Sequence, residues 1–242
     1  MSVKPGREVV VAGIGLHPFG RFPEKSIEAM AGQAVLAALK DAGVSYPQIQ
    51  AAYFGHVYFH GMSMGESILN GLGLTGIPVF NIENACSSSS TAFEMAFWAV
   101  ASGVYDIVLV FGAEKTPRGP VSVTSETSPA RLLGTDHMMA SYALRARRYM
   151  EEFGATREAF AHVAEKAHRN AVHNPYAQFQ KVFTMEEILN SRMIADPLTL
   201  YQCCPTSEGA SATVICAREV ATKYKMELKR LVGITGMGIK TS

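Results

Sequence analysis

The stretch Asn81-Ile82-Glu83-Asn84-Ala85-Cys86-Ser87-Ser88-Ser89-Ser90-Thr91-Ala92 decides how this chain is read. The apolar residues Ile77 to Phe80 enter it as a strand, and an apolar helical pattern leaves it from Ala92 to Val100. Strand, tight turn and helix in that order place Cys86 at or near the first turn of a helix. Unpaired backbone N–H groups and the positive end of the helix macrodipole favour an anion there. A thiolate is such an anion, so the position favours Cys86 as a nucleophile.

Outward from this stretch, strands and helices alternate. Val9 to Ala12 reads as a first buried strand ending in Gly13-Ile14-Gly15. Ser26 caps a predicted helix with apolar residues at Ile27, Met30, Ala31, Ala34, Val35, Ala38 and Leu39, and Gly43 stops it. Strands are predicted over Ala51 to Tyr58 and Ile77 to Phe80, with a short helix over Glu66 to Leu72 between them. The helix behind Cys86 should end at Gly103. Asp106 to Phe111 is a near-continuous apolar run, the pattern of a parallel strand covered on both faces. This alternation gives an α/β layer fold.

From Lys115 to Gly134 the chain is rich in Pro, Gly, Ser and Thr and reads as a long loop of functional kind. Helical patterns follow over Met138 to Phe153 and Thr156 to Val172, separated by Gly154. Thr184-Met185-Glu186-Glu187 has the form of a capping box. This middle section is an excursion from the sheet. Ser211 to Cys216 reads as a returning strand, Glu219 to Lys225 as a helix, and Leu231 to Gly236 as one further strand.

With 242 residues, 48% hydrophobic and 18% charged, the chain is of globular and not disordered composition. With a net charge of +1, nothing global argues for nucleic acid as a partner, and none is expected. No apolar run approaches the roughly 20 residues that span a bilayer, and Met1 to Glu8 lacks a signal-peptide core. The four cysteines, at 86, 203, 204 and 216, lack CxxC metal spacing, and adjacent Cys203 and Cys204 suit a structural disulfide poorly. Reduced thiols in a cytoplasmic protein are the simplest reading, with Cys203, Cys204 and Cys216 as small core residues.

Three segments carry a resemblance to the thiolase superfamily, within it to the thiolases grouped with sterol carrier protein x and lipid-transfer proteins. Asn84-Ala85-Cys86-Ser87-Ser88-Ser89-Ser90-Thr91-Ala92 resembles the nucleophile motif of that family. Arg147-Arg148-Tyr149-Met150-Glu151-Glu152-Phe153-Gly154 with Thr156-Arg157-Glu158 resembles its middle loop domain. Ser191-Arg192-Met193-Ile194-Ala195-Asp196-Pro197-Leu198 through Cys204-Pro205-Thr206-Ser207-Glu208-Gly209-Ala210 resembles the segment that returns to the sheet. Ser89 stands where the family usually has glycine, and Glu208 where it usually has aspartate. The family's second half carries a histidine in an Asn-Glu-Ala-Phe-like motif and a cysteine in a Cys-x-Gly-His-Pro-like motif, and neither motif occurs in this sequence.

The resemblance implies a thiolase-like mixed sheet flanked by helices, with a helical loop-domain insertion and the second half of the fold largely absent. Its boundaries would be 1–114 for the first part of the N-terminal α/β domain and 115–202 for the loop domain. Residues 203–230 would form the return strand and helix, and 231–242 the start of a C-terminal domain. The implied activity is acyl transfer between coenzyme A esters: thiolysis of a 3-oxoacyl-CoA, or the reverse Claisen condensation, through a thioester on Cys86. Coenzyme A enters as co-substrate and no bound cofactor is implied. An ungapped match puts Tyr142 at a pocket-lining position, with His137 nearby. The resemblance also implies a homodimer and, for some members, an OB-fold acyl-CoA-binding partner. The rival readings are a non-catalytic or split-enzyme subunit, and a retro-aldolase on steroid side-chain CoA esters, whose members lack the nucleophilic cysteine.

The remaining candidates read more plainly. His56 and His60 in one strand would lie more than about 10 Å apart, too far to share a metal, and so read as packing or surface residues. His162, His168 and His173 do not fall at i, i+4 and line a solvated face. Arg145, Arg147 and Arg148 fit either coenzyme A phosphates or a charged helix face. Gly13-Ile14-Gly15 is no dinucleotide fingerprint, because the third glycine and the helix directly behind it are missing.

Overall fold

The computed structural model describes residues 6–58, 61–122 and 127–240. The chain divides into two compact units, Met1–Lys115 with Ser207–Ser242 and Thr116–Thr206. In chain order the first unit begins with β1 (Val9–Gly20), α1 (Ile27–Ala42), β2 (Ala51–Gly55), α2 (Met64–Asn70), β3 (Val79–Ile82), α3 (Ser88–Ala101) and β4 (Ile107–Lys115). The second unit holds α4 (Pro129–Leu132), α5 (Met138–Phe153), α6 (Arg157–Ala171), α7 (Met185–Leu189), β5 (Met193–Ala195) and β6 (Leu198–Thr199). The chain then returns to the first unit as β7 (Glu208–Ala217), α8 (Arg218–Lys223) and β8 (Val232–Gly233).

Among the described residues the first unit forms one mixed sheet in the order β3-β2-β4-β7-β1-β8. β2 runs parallel to β3 and β4, while β4–β7, β7–β1 and β1–β8 are antiparallel. The strand at 107–115 is therefore parallel on one side only. Its apolar run reflects burial on both faces, from Ile107 to Ala113, and not an all-parallel sheet.

The first strand runs to Gly20 instead of ending at Gly13-Ile14-Gly15, and the two glycines lie inside it. The cause is the helix above them. A Cβ on Gly13 would fall 2.4 Å from the Ala42 nitrogen, and one on Gly15 would fall 2.1 Å from the Ala34 oxygen. α1 meets them with Ala34, Ala38 and Ala42, so backbone packs close to backbone. The helix itself follows its sequence signals. Ser26 Oγ accepts from the Ala29 N–H, Gly43 closes the helix at φ 71°, and every predicted apolar position is buried.

Pairing parity places α1 and α3 on opposite faces of the sheet. Gly55 pairs with Gly112, Gly112 with Ser211, and Ser211 with Leu16, so these four share a face. Gly55 and Gly112 meet Ser89 of α3, whereas Gly15, next to Leu16, meets α1. In the second unit, α5 spans the predicted range, Gly154 takes φ 66° behind it, and α7 opens on the predicted capping box. A small core of Ala161, Phe183 and Ile188 holds α6 and α7 together. Asp41 ties β1, α1 and the chain near β8, accepting from the Ile14 N–H at 3.0 Å and from Arg230 at 2.6 Å. The Ile14 hydrogen bond first, and Arg230 after it, hold the Asp41 carboxyl below the usual carboxylate range.

Two outcomes follow from these contacts. Gly15→Ala should destabilise the chain by about 1–3 kcal/mol through overpacking against α1, read as a lower urea midpoint. Asp41 has a folded pKa below its unfolded one, so its stabilisation is present at neutral pH and is lost as pH falls through the carboxylate range. Asp41→Asn should therefore flatten the acid limb of the stability–pH curve, measured by urea midpoints from neutral to acidic buffer.

Candidate active site

β3 ends at Ile82, and the chain turns through Glu83 to Ser87 before α3 begins at Ser88. Ala85 holds the left-handed φ of 46°, a conformation rare for a residue with a Cβ. Cys86 lies two residues ahead of the first helical residue and is exposed. Together with Ala85, Ser88 and Ser89 it lines a cleft of ≈ 180 Å³.

The other walls come from the ends of four strands. Gly55 ends β2 and His56 and Val57 follow it, Gly112 to Glu114 close β4, Gly209 to Ser211 open β7, and Phe19 stands near the end of β1. The cleft thus sits at the carboxyl ends of the parallel strands β2 and β4, where open α/β sheets commonly bind ligands. Ser89 is seated directly on the sheet. A Cβ on Gly112 would fall 2.3 Å from Ser89 Oγ, and one on Gly55 would fall 2.6 Å from the Ser89 nitrogen. Ser89, Gly112 and Ser211 also border a second cavity of ≈ 490 Å³, with Ile14, Leu16, Phe93, Val110 and Met237 among its walls.

Glu114 explains why β2 stops at Gly55 and not at Tyr58. Its Oε2 accepts the N–H groups of Val57 and Tyr58, both at 2.9 Å, and so bends that segment across the end of β4. The bend carries His56 to the cleft wall, its ring stacked on Phe54 at 5.2 Å. A strand running on to Tyr58, as the sequence predicts, makes His56 a packing or surface residue. The stacking on Phe54 fits that reading of His56. The structure corrects the strand limit, and no local sequence signal announces the bend. His60 lies outside the described residues. Among those described, no group of three or more His, Cys, Asp or Glu is placed to hold a metal.

Buried Glu208 fixes the Phe19 wall. Its carboxylate accepts the Phe22 N–H at 2.7 Å and Arg21 at 3.2 Å, with Lys115 at 3.7 Å. Lys115 also donates to the carbonyls of Phe22 and Lys25. Phe19 then lies over Gly209, where a Cβ would fall 2.6 Å from its ring.

The other cysteines differ in their surroundings. Cys216 is buried, and burial pushes its thiol up to about 12. Cys203 is half-buried, and burial raises it as well. Cys204 is exposed, so the reading of all three as core residues holds for Cys216 alone. The core-residue pattern failed at 203 and 204 because that segment follows a short 3-10 turn at Leu200–Gln202 and lies outside the sheet.

Tyr142 lies on α5 in the second unit, half-exposed, with Arg145 5.2 Å from its ring centroid. His137 occupies the N-cap position of the same helix. Arg147 pairs with Asp196 at 3.2 Å and Arg148 with Glu152 at 2.7 Å, which is the charged-face arrangement. His162 pairs with Glu165 on an exposed face of α6, whereas His168 packs edge-on against Phe183.

The family model described as the thiolase N-terminal domain matches residues 9–219. The chain belongs to the thiolase family. This thiolase-family chain is 36% identical to the benzoylsuccinyl-CoA thiolase subunit BbsB of Thauera aromatica, over 99% of this chain and 62% of that protein. It is 35% identical to sterol carrier protein 2 of Gallus gallus, over 91% of this chain and 43% of that protein. Among solved structures, the Ltp2-ChsH2(DUF35) aldolase superimposes with a TM-score of 0.78 at 31% identity, over 91% of this chain and 58% of that chain. The thiolase-family chain thus spans less than two thirds of each of these relatives. The mixed sheet flanked by helices is the thiolase-like fold that the sequence resemblance implies.

The seat of α3 gives a measurable outcome. Gly112→Ala should cost about 1–3 kcal/mol of stability through collision with Ser89 Oγ. Adding Ser89→Gly should recover most of that loss. A double-mutant cycle on urea midpoints should show coupling above about 0.5 kcal/mol.

Proposed function

We propose that this chain carries the nucleophile of a thiolase-type acyltransferase, and that the nucleophile is Cys86. The observation that supports it most is the exposed position of Cys86 in a cleft at the carboxyl ends of β2 and β4, directly ahead of α3. In this reading the Cys86 thiolate attacks the 3-oxo carbonyl carbon of a 3-oxoacyl-CoA. The bond between C2 and C3 breaks, and the departing carbanion of the shortened CoA ester takes a proton. The remaining acyl group stays on sulfur as a thioester until the thiol of coenzyme A attacks it, releases acyl-CoA and returns the cysteine. The backbone N–H of Cys86 is the oxyanion donor of this reading. Tyr142, half-exposed on α5, is the proposed contact to the acyl group.

Coenzyme A is a co-substrate here and not a resident group. A homodimer is the proposed assembly, with an OB-fold acyl-CoA-binding subunit as a further partner. Two relatives support a partner subunit by their names, one a thiolase subunit and the other joining Ltp2 to ChsH2(DUF35). No described helix is long and apolar enough to cross a membrane. Four free cysteines support a reducing, cytoplasmic setting.

The aldolase name of one solved relative favours a second reading, a retro-aldolase on steroid side-chain CoA esters. The two readings differ in the covalent intermediate. Incubation of the purified chain with an acyl-CoA should add one acyl mass by intact mass spectrometry, mapped to the Cys86 peptide and lost in Cys86→Ala. Absence of the adduct, with and without a candidate partner subunit, would overturn the thioester reading. Cleavage of a hydroxyacyl-CoA to a carbonyl product without any adduct would establish the retro-aldolase instead.

A further inference from the structure

We infer that Ser88 is the positioning residue of the Cys86 turn. The inference rests on Cys86 as the nucleophile and adds the group that holds it in place. Of the four consecutive serines, Ser88 alone is buried, at 3% exposure. Its hydroxyl joins the two residues ahead of the cysteine: Oγ accepts the Asn84 N–H at 2.9 Å and donates to the Ala85 carbonyl at 2.7 Å. The same carbonyl accepts the Ser88 N–H at 3.1 Å. One hydroxyl thus uses both its donor and an acceptor site to close the turn on itself.

The turn needs such a closure because Ala85 is left-handed, at φ 46°. Residues with a Cβ leave that region unless their surroundings hold them there. Two other side chains reach into the turn. Glu83 Oε1 accepts the Ala85 N–H at 2.7 Å, and Asn84 Nδ2 donates to Thr91 Oγ1 at 2.8 Å. Both of these contacts are exposed, so water replaces them at little cost when they break. The Ser88 contacts are part-buried, where a lost partner is not replaced. Beside the main-chain bond from the Ser87 N–H to the Asn84 carbonyl at 3.0 Å, Ser88 therefore supplies the part-buried side-chain closure that keeps Ala85 left-handed and Cys86 at the cleft. Ser87 stands outside this scheme, since it is exposed and makes no side-chain capping bond.

The cysteines of the chain supply their own references. The full chain is treated with limiting iodoacetamide at fixed neutral pH, and labelling of each cysteine peptide is followed by mass spectrometry. Exposed Cys204 measures ordinary thiol reactivity, and buried Cys216 reports unfolding. Wild type should label fastest at Cys86. Ser88→Ala should lower the Cys86 to Cys204 rate ratio by about tenfold, the loss of well-placed geometry at one group. Cys216 should stay unlabelled. Ser88→Thr, which keeps the hydroxyl, should retain the ratio, and Ser87→Ala should leave it within about twofold.

A Ser88→Ala ratio equal to or above wild type, with Cys216 protected, would overturn the positioning role while leaving Cys86 as the nucleophile. Wild-type Cys86 labelling no faster than Cys204 would overturn the nucleophile reading and this inference together. Should Ser88→Ala expose Cys216, Ser88→Thr against Ser88→Val decides instead, because the two side chains match in shape and differ in the hydroxyl. Equal ratios in that pair would reject the role.

Discussion

The structure depends on two glycines that let a helix touch a sheet. Gly55 and Gly112 lie side by side at the carboxyl ends of β2 and β4, and neither has room for a Cβ because Ser89 occupies it. The first turn of α3 is thereby pressed onto the strand ends. Everything ahead of that turn, Cys86 included, is delivered to the edge of the sheet and not above it. With larger residues at 55 and 112 the helix would stand off, and the cleft would open into a shallow surface.

The same device operates on the other face, at Gly13 and Gly15 beneath α1. Dispersion attraction falls steeply with separation, so bringing backbones together makes many small contacts count at once. Small residues on one partner require small residues on the other, which is why α1 presents alanines at 34, 38 and 42. The sheet is gripped on both faces and serves as a rigid frame. The cleft residues hang from its strand ends, and carboxylates tie the connecting segments down. Glu114 holds the segment after β2, and Glu208 holds the segment after β1. Glutamate at 208, where the resembled family usually has aspartate, is long enough to reach the Phe22 N–H and Arg21 while its own backbone stays in β7.

The four thiols show how far surroundings govern cysteine chemistry. Cys216, inside the sheet, is pushed to about 12 by burial and is fit only for packing. Cys86 is exposed in a walled cleft. No local sequence pattern separates half-buried Cys203 and exposed Cys204 from core residues, because both follow a 3-10 turn outside the sheet.

Helix limits were legible where a cap and an apolar period act together, whereas the one-turn helix α4, capped by Ser128 but without such a period, reads as loop in the sequence. Ser26 and Gly43 bound α1, Thr184 with Glu187 opens α7, and Gly154 ends α5, all through contacts made within a few residues. The strand-turn-helix around Cys86 was legible for the same reason. The length of β1, the stop of β2 at Gly55 and the place of His56 were not. Each depends on a partner distant in sequence: Ala34 above Gly15, and Glu114 against Val57 and Tyr58.

By itself the sequence determined the helices that carry an apolar period, though not α4 inside the stretch read as a loop, together with the α/β class and the family, because propensity, capping and motif spacing act over short stretches of chain. Only the tertiary structure decided which strands pair antiparallel, which thiols are exposed and which side chains wall the cleft around Cys86. Those are matters of close approach between segments far apart in the chain, and local pattern carries no record of distance in space.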